Sequence, residues 1–381
     1  MIIAIPKETT EGEKRVAIVP ESISKLKKKG YTVQIEKGAG LTAGFPDQLY
    51  EKEGAELISD VNQLYSNADI LVKVNPPETH ATTKKNELEM MKKGSVFVGF
   101  FYGLSNPELA KKAALAGVQV LSMDAVPRIT KAQRMDALSS QTNLAGYKAV
   151  ILAADHLHKI FPLLMTAAGT ITPAKVVILG AGVAGLQAIA TAKRLGAIVE
   201  VSDVRPETKE QVQSLGGKFI EPPQDESLVG EGGYAKEATA EYLAKQQEIL
   251  KKHICEADAV ITTAQVPGRK APVLITADVV KQMQPGSVIV DMAAGTGGNC
   301  ESTQPGKVIQ ESGVTIVGYT NLPAEMAFHA SQLYSRNVQA LLEYLTKEGA
   351  LNLNPEDEIV AGALITRDGQ IVHSKIKEIA G

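Results

Sequence analysis

Residues 175–205, KVVILGAGVAGLQAIATAKRLGAIVEVSDVR, constrain the fold of this chain more than any other segment. An apolar β-branched run leads into a glycine-rich turn, a helical pattern follows, and a second apolar run ends at Asp203. This order is typical of a dinucleotide-binding βαβ unit. In such a unit Gly180 permits the tight turn, Gly182 lets the backbone approach a pyrophosphate, and Gly185 lets helix and strand pack closely. We therefore predict a dinucleotide site here, with a purely structural βαβ unit as the alternative.

Asp203 and the helix after the glycine turn indicate which dinucleotide is bound. A helix N-terminus offers free N–H groups and a positive dipole end to a phosphate. Asp203 follows the turn by about 20 residues, where a carboxylate binds the ribose 2′-hydroxyl and repels a 2′-phosphate. The motif thus favours NAD(H) over NADP(H). Arg205 either neutralises that repulsion or is a solvated surface charge, and both alternatives stay open.

Composition excludes several classes of protein. The chain has 381 residues, enough for two or three domains with full cores, and 44% hydrophobic and 22% charged residues, as in soluble globular proteins. Its net charge of −3 does not suggest a nucleic-acid partner. Two cysteines without CxxC spacing, Cys255 and Cys300, argue against disulfides and against a metal site. We expect no signal peptide, because the N-terminus lacks a basic region followed by an apolar block. We expect no membrane span, because the longest apolar window, Val176 to Ala192, is interrupted by glycines.

Apolar runs alternate with helical patterns along the chain, which predicts an α/β fold of two Rossmann-like, doubly wound parallel-sheet domains. The last long helical pattern, Glu325 to Glu348, is predicted to return to the first domain. The predicted domains are therefore a discontinuous N-terminal domain, residues 1–137 plus about 325–381, and an NAD(H)-binding domain, residues 138–324. We expect the cofactor in a cleft between them. The segment from Asp357 to His373 suggests a hairpin around Asp368–Gly369.

Two polar segments have both a structural and a functional interpretation. Asp124 to Asn143, DAVPRITKAQRMDALSSQTN, precedes a helical pattern that starts at Leu144. It is either a solvated connector or a loop over the cofactor cleft. The segment Glu221 to Gly233 is acidic and rich in Pro and Gly, which predicts a mobile loop. Tyr234 follows it, either as a surface anchor or as a side chain that folds onto a ligand.

Several motifs resemble one known family in the same order along the chain. They are IPKETTEGEKRVAIVPE, PRITKAQRMDALSSQTNLAGYKAV, MTAAGTITPAKVVILGAGVAGLQAIATAKRLGA, GGYAKE, and VPGRKAPVLIT with PGSVIVDMA. Over nearly its full length the chain resembles the family that joins alanine dehydrogenases to the NAD(H)-binding alpha subunits of proton-translocating NAD(P)+ transhydrogenases. The resemblance implies hydride transfer from NADH to NADP+ on a partner subunit, coupled to proton translocation.

The resemblance also implies partners and site residues. The partners would be an NADP(H)-binding beta subunit and a membrane-spanning alpha subunit, with the chain itself a homodimer, peripheral on the cytoplasmic face of the inner membrane. A polar loop would contact the nicotinamide through Arg128, Ile129, Gln133, Asp136 and Ser139, and a mobile loop would close over it through Tyr234. The remaining implied nucleotide-binding positions are Gly180, Gly182, Val183, Asp203, Val204, Arg205, Gly233, Gln246 and Gln265.

The resemblance leaves an alanine dehydrogenase-like enzyme as the main rival. Arg15 and Lys73 stand where that branch binds its substrate, but Phe100 aligns with its catalytic histidine and Gly295 with its catalytic aspartate. Oxidative deamination needs groups that move protons, whereas hydride transfer between two nicotinamides needs neither a catalytic histidine nor a catalytic aspartate. The transhydrogenase subunit is therefore favoured. A non-catalytic NAD(H) sensor is the second rival, which the dense polar loop and Tyr234 disfavour.

Overall fold

The computed structural model describes residues 1–223, 240–265 and 268–381, with the backbone alone for residues 240–244. The described chain forms two compact units, Met1–Gln141 with Pro323–Gly381, and Thr142–Leu322. The prediction of parallel-sheet, Rossmann-like domains is confirmed.

The first unit is built on an eight-stranded sheet of the described residues, in the order β19-β18-β6-β5-β4-β1-β2-β3. Its strands are β1 (Ile2–Ile5), β2 (Thr32–Glu36), β3 (Glu56–Ile58), β4 (Ile70–Val72), β5 (Val96–Gly99), β6 (Gln119–Ser122), β18 (Leu364–Arg367) and β19 (Gln370–Ile371). The six strands from the N-terminal part of the chain run parallel, while β18 is antiparallel to β6 and to β19. The chain reverses its direction of winding between β1 and β4.

Helices cover both faces of this sheet, which explains why β1, β4 and β5 are continuous apolar runs. Ile3 and Ile5 belong to one buried cluster, whereas Ala4 between them belongs to another, because successive side chains point to opposite faces. The helices are α1 (Pro20–Lys28), α2 (Asp47–Lys52), α3 (Val61–Asn67), α4 (Glu87–Met90), α5 (Pro107–Ala116), α11 (Ala327–Leu345), α12 (Glu358–Ala363) and α13 (Ser374–Ala380). A small hairpin, β16 (Thr346–Lys347) with β17 (Ala350–Leu351), follows α11.

The second unit has a seven-stranded sheet of the described residues, in the order β11-β10-β9-β12-β13-β15-β14. Its strands are β9 (Lys175–Leu179), β10 (Ile198–Ser202), β11 (Lys218–Phe219), β12 (Ala259–Thr262), β13 (Val288–Asp291), β14 (Val308–Glu311) and β15 (Val314–Val317). All neighbours pair in parallel except β14 with β15. The chain reverses its direction of winding between β9 and β12, which is where ligands bind in open α/β sheets.

The remaining elements of the second unit surround this sheet. They are α7 (Val183–Arg194), α8 (Thr208–Ser214), α9 (Ala240–Cys255), α10 (Ala277–Val280) and an exposed hairpin of β7 (Leu164–Thr166) with β8 (Gly169–Ile171). A long helix, α6 (Ala137–His156), starts before the unit boundary and ends after it. Val176 and Ile178 lie in one buried cluster and Val177 in another, so this sheet too is covered on both faces.

Two predictions of local structure are wrong. The polar segment from Asp124 to Asn143 does not stay free of helix up to Leu144. It contains a 3-10 helix (Thr130–Met135), and α6 begins shortly after it, at Ala137. The C-terminal segment is a hairpin only from β18 onwards. Asp357 accepts hydrogen bonds from the amides of Ile359 and Val360, and this N-cap starts the helix α12 before the hairpin.

Within the described ranges, none of the helices combines the length and the apolar character that a membrane crossing requires.

Candidate functional site

The glycine turn after β9 depends on close backbone packing. Gly180 has a φ of +107°, which lies in the region that favours glycine, and a Cβ there would lie 2.4 Å from Oγ1 of Thr263. A Cβ on Gly185 would lie 1.9 Å from the carbonyl oxygen of Gly180. The Thr263 hydroxyl also lies within hydrogen-bond distance of the carbonyl oxygens of Leu179 and Gly180. Glycine is thus required at positions 180 and 185 by packing within the protein itself, whether or not a ligand is bound.

Gly182 differs from these two glycines. Its φ is −75°, accessible to any residue, and a Cβ built on it meets no described atom within 4 Å. It is the N-cap of α7, and no described side chain caps this helix. The first-turn amides of α7 therefore receive no hydrogen bond from an N-cap side chain, which suits an anionic group. The turn thus fits the pyrophosphate of a dinucleotide.

Asp203, at the carboxyl end of β10, is tied to the glycine turn and to Arg205. Its Oδ2 accepts from the Ala181 amide at 2.6 Å and from Nη2 of Arg205 at 2.9 Å. Its Oδ1 accepts from the amide and from Nε of Arg205, both at 2.9 Å. Burial raises the pKa of Asp203, but the bonds from Arg205 and Ala181 outweigh it and hold the pKa below its ordinary value. Arg205 is therefore the ion-pair partner of Asp203, and a ribose hydroxyl that binds Asp203 would replace one of the hydrogen bonds from Arg205.

The implied nucleotide positions of the second unit lie at the carboxyl edge of its sheet or beside it. Asp203 and Gln246 line one small pocket together with Ile220 and Pro222. Val183 and Val204 are exposed, with 37% and 86% of their surface accessible. After β12, the exposed Gln265 donates a hydrogen bond to the carbonyl oxygen of Met292. Gly233 and Tyr234 lie outside the described residues.

The polar segment of the first unit presents exposed and half-buried side chains on one short stretch. Arg128 and Gln133 are exposed, and Ile129 is half-buried. Asp136 is the residue before α6, where its carboxylate accepts from the amide of Ser139 at 2.8 Å and from its hydroxyl at 2.6 Å. The pair thus caps α6 in addition to any contact with a ligand. An aspartate directly before a helix is a common N-cap residue, but this cap was not predicted because the helical pattern was expected to begin only at Leu144.

Arg15 and Lys73, which the resemblance places where the dehydrogenase branch binds its substrate, are buried and paired within the first unit. Arg15 binds Glu13 through Nε (2.8 Å) and Nη2 (2.7 Å), and its Nη1 donates to Gln141 at 2.9 Å. Lys73 is fully buried and donates to both carboxylate oxygens of Glu87, at 2.8 and 2.6 Å. Burial opposes the charge of Lys73, but neighbouring carboxylates hold its pKa above the ordinary value. Both cations therefore have internal counterions.

Phe100 and Gly295, which the resemblance places at the positions of the catalytic histidine and aspartate of the dehydrogenase branch, are not titratable. Phe100 is 3% exposed, and its ring packs against those of Tyr334 and Tyr102, with centroids 5.2 and 5.7 Å apart. A Cβ on Gly295 would make only an ordinary contact, 3.7 Å from Thr320. Neither position can donate or accept a proton in the way that amine oxidation requires.

Glu8 is the residue near Lys73 whose protonation we expect to affect stability. Its Oε1 accepts from the Val74 amide, but its Oε2 has no hydrogen-bond partner among the described residues, and Lys73 Nζ lies 3.9 Å away. Burial raises the pKa of Glu8 to about 7; Lys73 and the Val74 amide oppose this, and Glu13 and Glu87 reinforce it.

Stability should therefore fall as pH rises between 4.5, the ordinary pKa of Glu8, and about 7. In that window the folded state retains a proton that the unfolded state has lost, so the free energy of unfolding decreases with pH. Glu8→Gln should flatten this part of the profile, measured by urea denaturation at several pH values. Glu356→Gln, at an exposed acid, is the control. Parallel profiles for Glu8→Gln and the original chain would contradict the prediction.

Comparison with known proteins identifies close relatives along the whole chain. The family models for the N-terminal and C-terminal domains of alanine dehydrogenase/PNT match residues 4–145 and 149–374. A chain of Rickettsia prowazekii (strain Madrid E), named as one segment of NAD(P) transhydrogenase subunit alpha, is 50% identical over 378 residues, 99% of this chain and 98% of the relative. A crystal structure of transhydrogenase from Sinorhizobium meliloti superposes with a TM-score of 0.87 at 45% identity, covering 98% of this chain and 100% of that one. The alanine dehydrogenase of Bacillus subtilis (strain 168) is 28% identical, over 100% of this chain and 95% of the relative.

Proposed function

The chain belongs to the alanine dehydrogenase/PNT family, and we propose that it is the NAD(H)-binding subunit of a proton-translocating NAD(P)+ transhydrogenase. In this role it presents NADH to NADP+ on a partner subunit, and hydride transfer is coupled to proton translocation across the membrane. The observation that carries the proposal is the 50% identity, along nearly the full length of both chains, to a relative named as a transhydrogenase subunit.

The chemistry at the two aligned positions supports transhydrogenation over alanine oxidation. Phe100 and Gly295 provide no proton-handling group, and losing one such group typically lowers a rate by about 100- to 10,000-fold. Arg15 and Lys73 already bind internal carboxylates, so a substrate carboxylate would have to compete for them. Hydride transfer between nicotinamides requires only that the rings be held together away from water.

The proposal gives each group of residues a role in holding NAD(H). Gly182 and the first turn of α7 bind the pyrophosphate, and Asp203 with Gln246 binds the adenosine end. The segment from Arg128 to Ser139 contacts the nicotinamide through Arg128, Ile129, Gln133, Asp136 and Ser139. The other proposed contacts are Gly180, Val183, Val204, Arg205, Gly233, Tyr234 and Gln265. When bound, NADH supplies the hydride at carbon 4 of its nicotinamide ring.

The proposal extends to partners and location. Relatives named as subunit alpha, or as a segment of that subunit, indicate a multi-subunit transhydrogenase. We infer an NADP(H)-binding beta subunit and a membrane-spanning alpha subunit, which hold the chain at the cytoplasmic face of the inner membrane. We also infer a homodimer. The β7–β8 hairpin exposes Leu164, Met165 and Ile171 by 43%, 72% and 49%, and such apolar surface supports a subunit contact.

One titration tests the proposal against both rivals. The purified chain is titrated with NADH by fluorescence, and pyruvate and ammonium are then added. Saturable binding without oxidation of NADH supports the transhydrogenase subunit. Rapid oxidation would instead identify an amino-acid dehydrogenase. Capture of a membrane subunit in a pull-down separates the proposal from a free NAD(H) sensor.

Asp203→Ala should weaken NADH binding by about tenfold or more, because the ribose loses a charge-assisted hydrogen bond. Fluorescence titration measures the dissociation constant, and thermal unfolding checks that loss of the bond to Ala181 has not unfolded the turn. Lys281→Ala, at an exposed ion pair with Asp278, is the control for surface charge. Unchanged NADH affinity in a folded Asp203→Ala variant would remove Asp203 from the site.

A further inference from the structure

Asn337, on α11, bridges two points of the polar segment that lies nearly 200 residues before it in the sequence. Its side chain is largely buried, with the residue 8% exposed. Its Nδ2 donates to the carbonyl oxygen of Arg134 at 2.8 Å, and its Oδ1 accepts from the Ser140 hydroxyl at 2.7 Å. One amide thus uses both its donor and its acceptor on the same segment.

The two bridged points bracket the junction between the 3-10 helix and α6. Asp136 and Ser139 lie between them, and Gln133 lies one residue before the first. The 3-10 helix has poorer hydrogen-bond geometry than an α-helix, so its local bonds define its position weakly. The Asp136–Ser139 cap is internal to the segment and cannot hold it against the rest of the unit. Ala132 and Met135, buried in the core of the first unit, pack the 3-10 helix against it, and Asn337 adds a polar attachment on either side of the junction.

We propose that Asn337 is a positioning residue for the nicotinamide end of NAD(H), acting through the segment that it bridges. This inference rests on the proposed function, which places Gln133, Asp136 and Ser139 at the nicotinamide. Asn337 holds the Arg134 carbonyl and the Ser140 hydroxyl at fixed separation, so the side chains between them are presented in one arrangement. Misplacement of binding groups by about 1 Å is enough to lower a rate on the order of 100-fold.

An amide is the side chain that this position requires. An aspartate retains the acceptor for Ser140 but places a negative charge against the Arg134 carbonyl. An alanine leaves the Arg134 carbonyl oxygen without this bond, and leaves the Ser140 hydroxyl with the carbonyl oxygen of Ala137 at 3.0 Å as its acceptor. An unsatisfied buried partner is costly, so the segment is expected to shift towards solvent when Asn337 is lost. The sequence alone gives no reason to connect position 337 with the polar segment.

The test compares NADH with ADP-ribose, which lacks the nicotinamide ring. Asn337→Ala should weaken NADH binding by about tenfold. The dissociation constant of ADP-ribose, measured by calorimetry, should stay within about twofold of its original value, because ADP-ribose binds through groups of the second unit. Ser140→Ala removes one of the two hydrogen bonds to Asn337, so it should lower NADH affinity by a smaller factor. This variant replaces Asn337→Ala in the test if Asn337→Ala does not fold. The control is Gln339→Ala, since this amide of α11 is also buried but donates to Glu343 of its own helix.

The outcomes separate this inference from the proposed function. Selective loss of NADH affinity in Asn337→Ala, without such a loss in Gln339→Ala, supports the positioning role. Unchanged affinity for both ligands, or an equal loss of both, overturns it while the proposed function stands. If the original chain binds ADP-ribose but not NADH, the proposed function and the inference that rests on it both fail.

Discussion

Gly182→Ala is expected to leave the chain folded and to weaken NADH binding by about tenfold or more, through lost phosphate contacts. The backbone at Gly182 tolerates alanine, since its φ is −75°, and the added methyl group meets no described protein atom within 4 Å. The space into which that methyl group points lies at the N-cap of α7. If the pyrophosphate approaches the backbone there, the methyl group displaces it.

Gly185→Ala is the matched control for this experiment. It adds the same methyl group to the same motif, but 1.9 Å from the Gly180 carbonyl oxygen. Because backbone must then move, we expect a loss of stability of about 1–3 kcal/mol or more. Thermal unfolding and NADH titration of both variants separate the two roles. Normal NADH affinity in Gly182→Ala would show that the turn does not hold the pyrophosphate.

Glu87→Ala is expected to lower the free energy of unfolding by about 3–5 kcal/mol, the range measured when one partner of a buried ion pair is removed. Glu87 is fully buried, and both its oxygens bind Nζ of Lys73. It also accepts from the Tyr65 hydroxyl and from the Glu78 amide. Its removal leaves Lys73 with Glu8 as the nearest ion-pair partner, at 3.9 Å.

A double variant distinguishes an orphaned charge from a simple cavity. Replacing a buried ion pair by apolar residues of similar volume is often neutral or stabilising. Lys73→Met/Glu87→Leu should therefore recover much of the stability lost in Glu87→Ala, as measured by urea denaturation followed by circular dichroism. A Glu87→Ala variant as stable as the original chain would contradict the role of this pair.

The main features of the second unit could be predicted from local sequence. The order of apolar run, glycine turn, helical pattern and acid predicted β9, α7, β10 and Asp203, because each is specified by neighbouring residues. Strand length, helix periodicity and glycine conformation are properties of a few consecutive residues. The alternation of strands with helices likewise predicted parallel sheets.

Other features of the site could be read only from the three-dimensional structure, even where the residues concerned are close in the sequence. The sequence left open whether Arg205 is a solvated charge, and only the structure shows it bound to both oxygens of Asp203. The sequence marked Arg15 and Lys73 as potential substrate ligands, but their burial against Glu13 and Glu87 depends on how strands and loops assemble.

By itself, the sequence determined the glycine turn, the parallel α/β architecture and the stretch that carries Gln133, Asp136 and Ser139. The sequence also predicted that the last long helix returns to the first domain, but only the tertiary structure decided that α11 places Asn337 against that stretch, and that β18 pairs with β6 from the far end of the chain. The physical reason is the range of the interactions. Periodicity and turn residues act within one element, whereas the burial of a charge or the partner of an amide is set by residues that folding alone brings together.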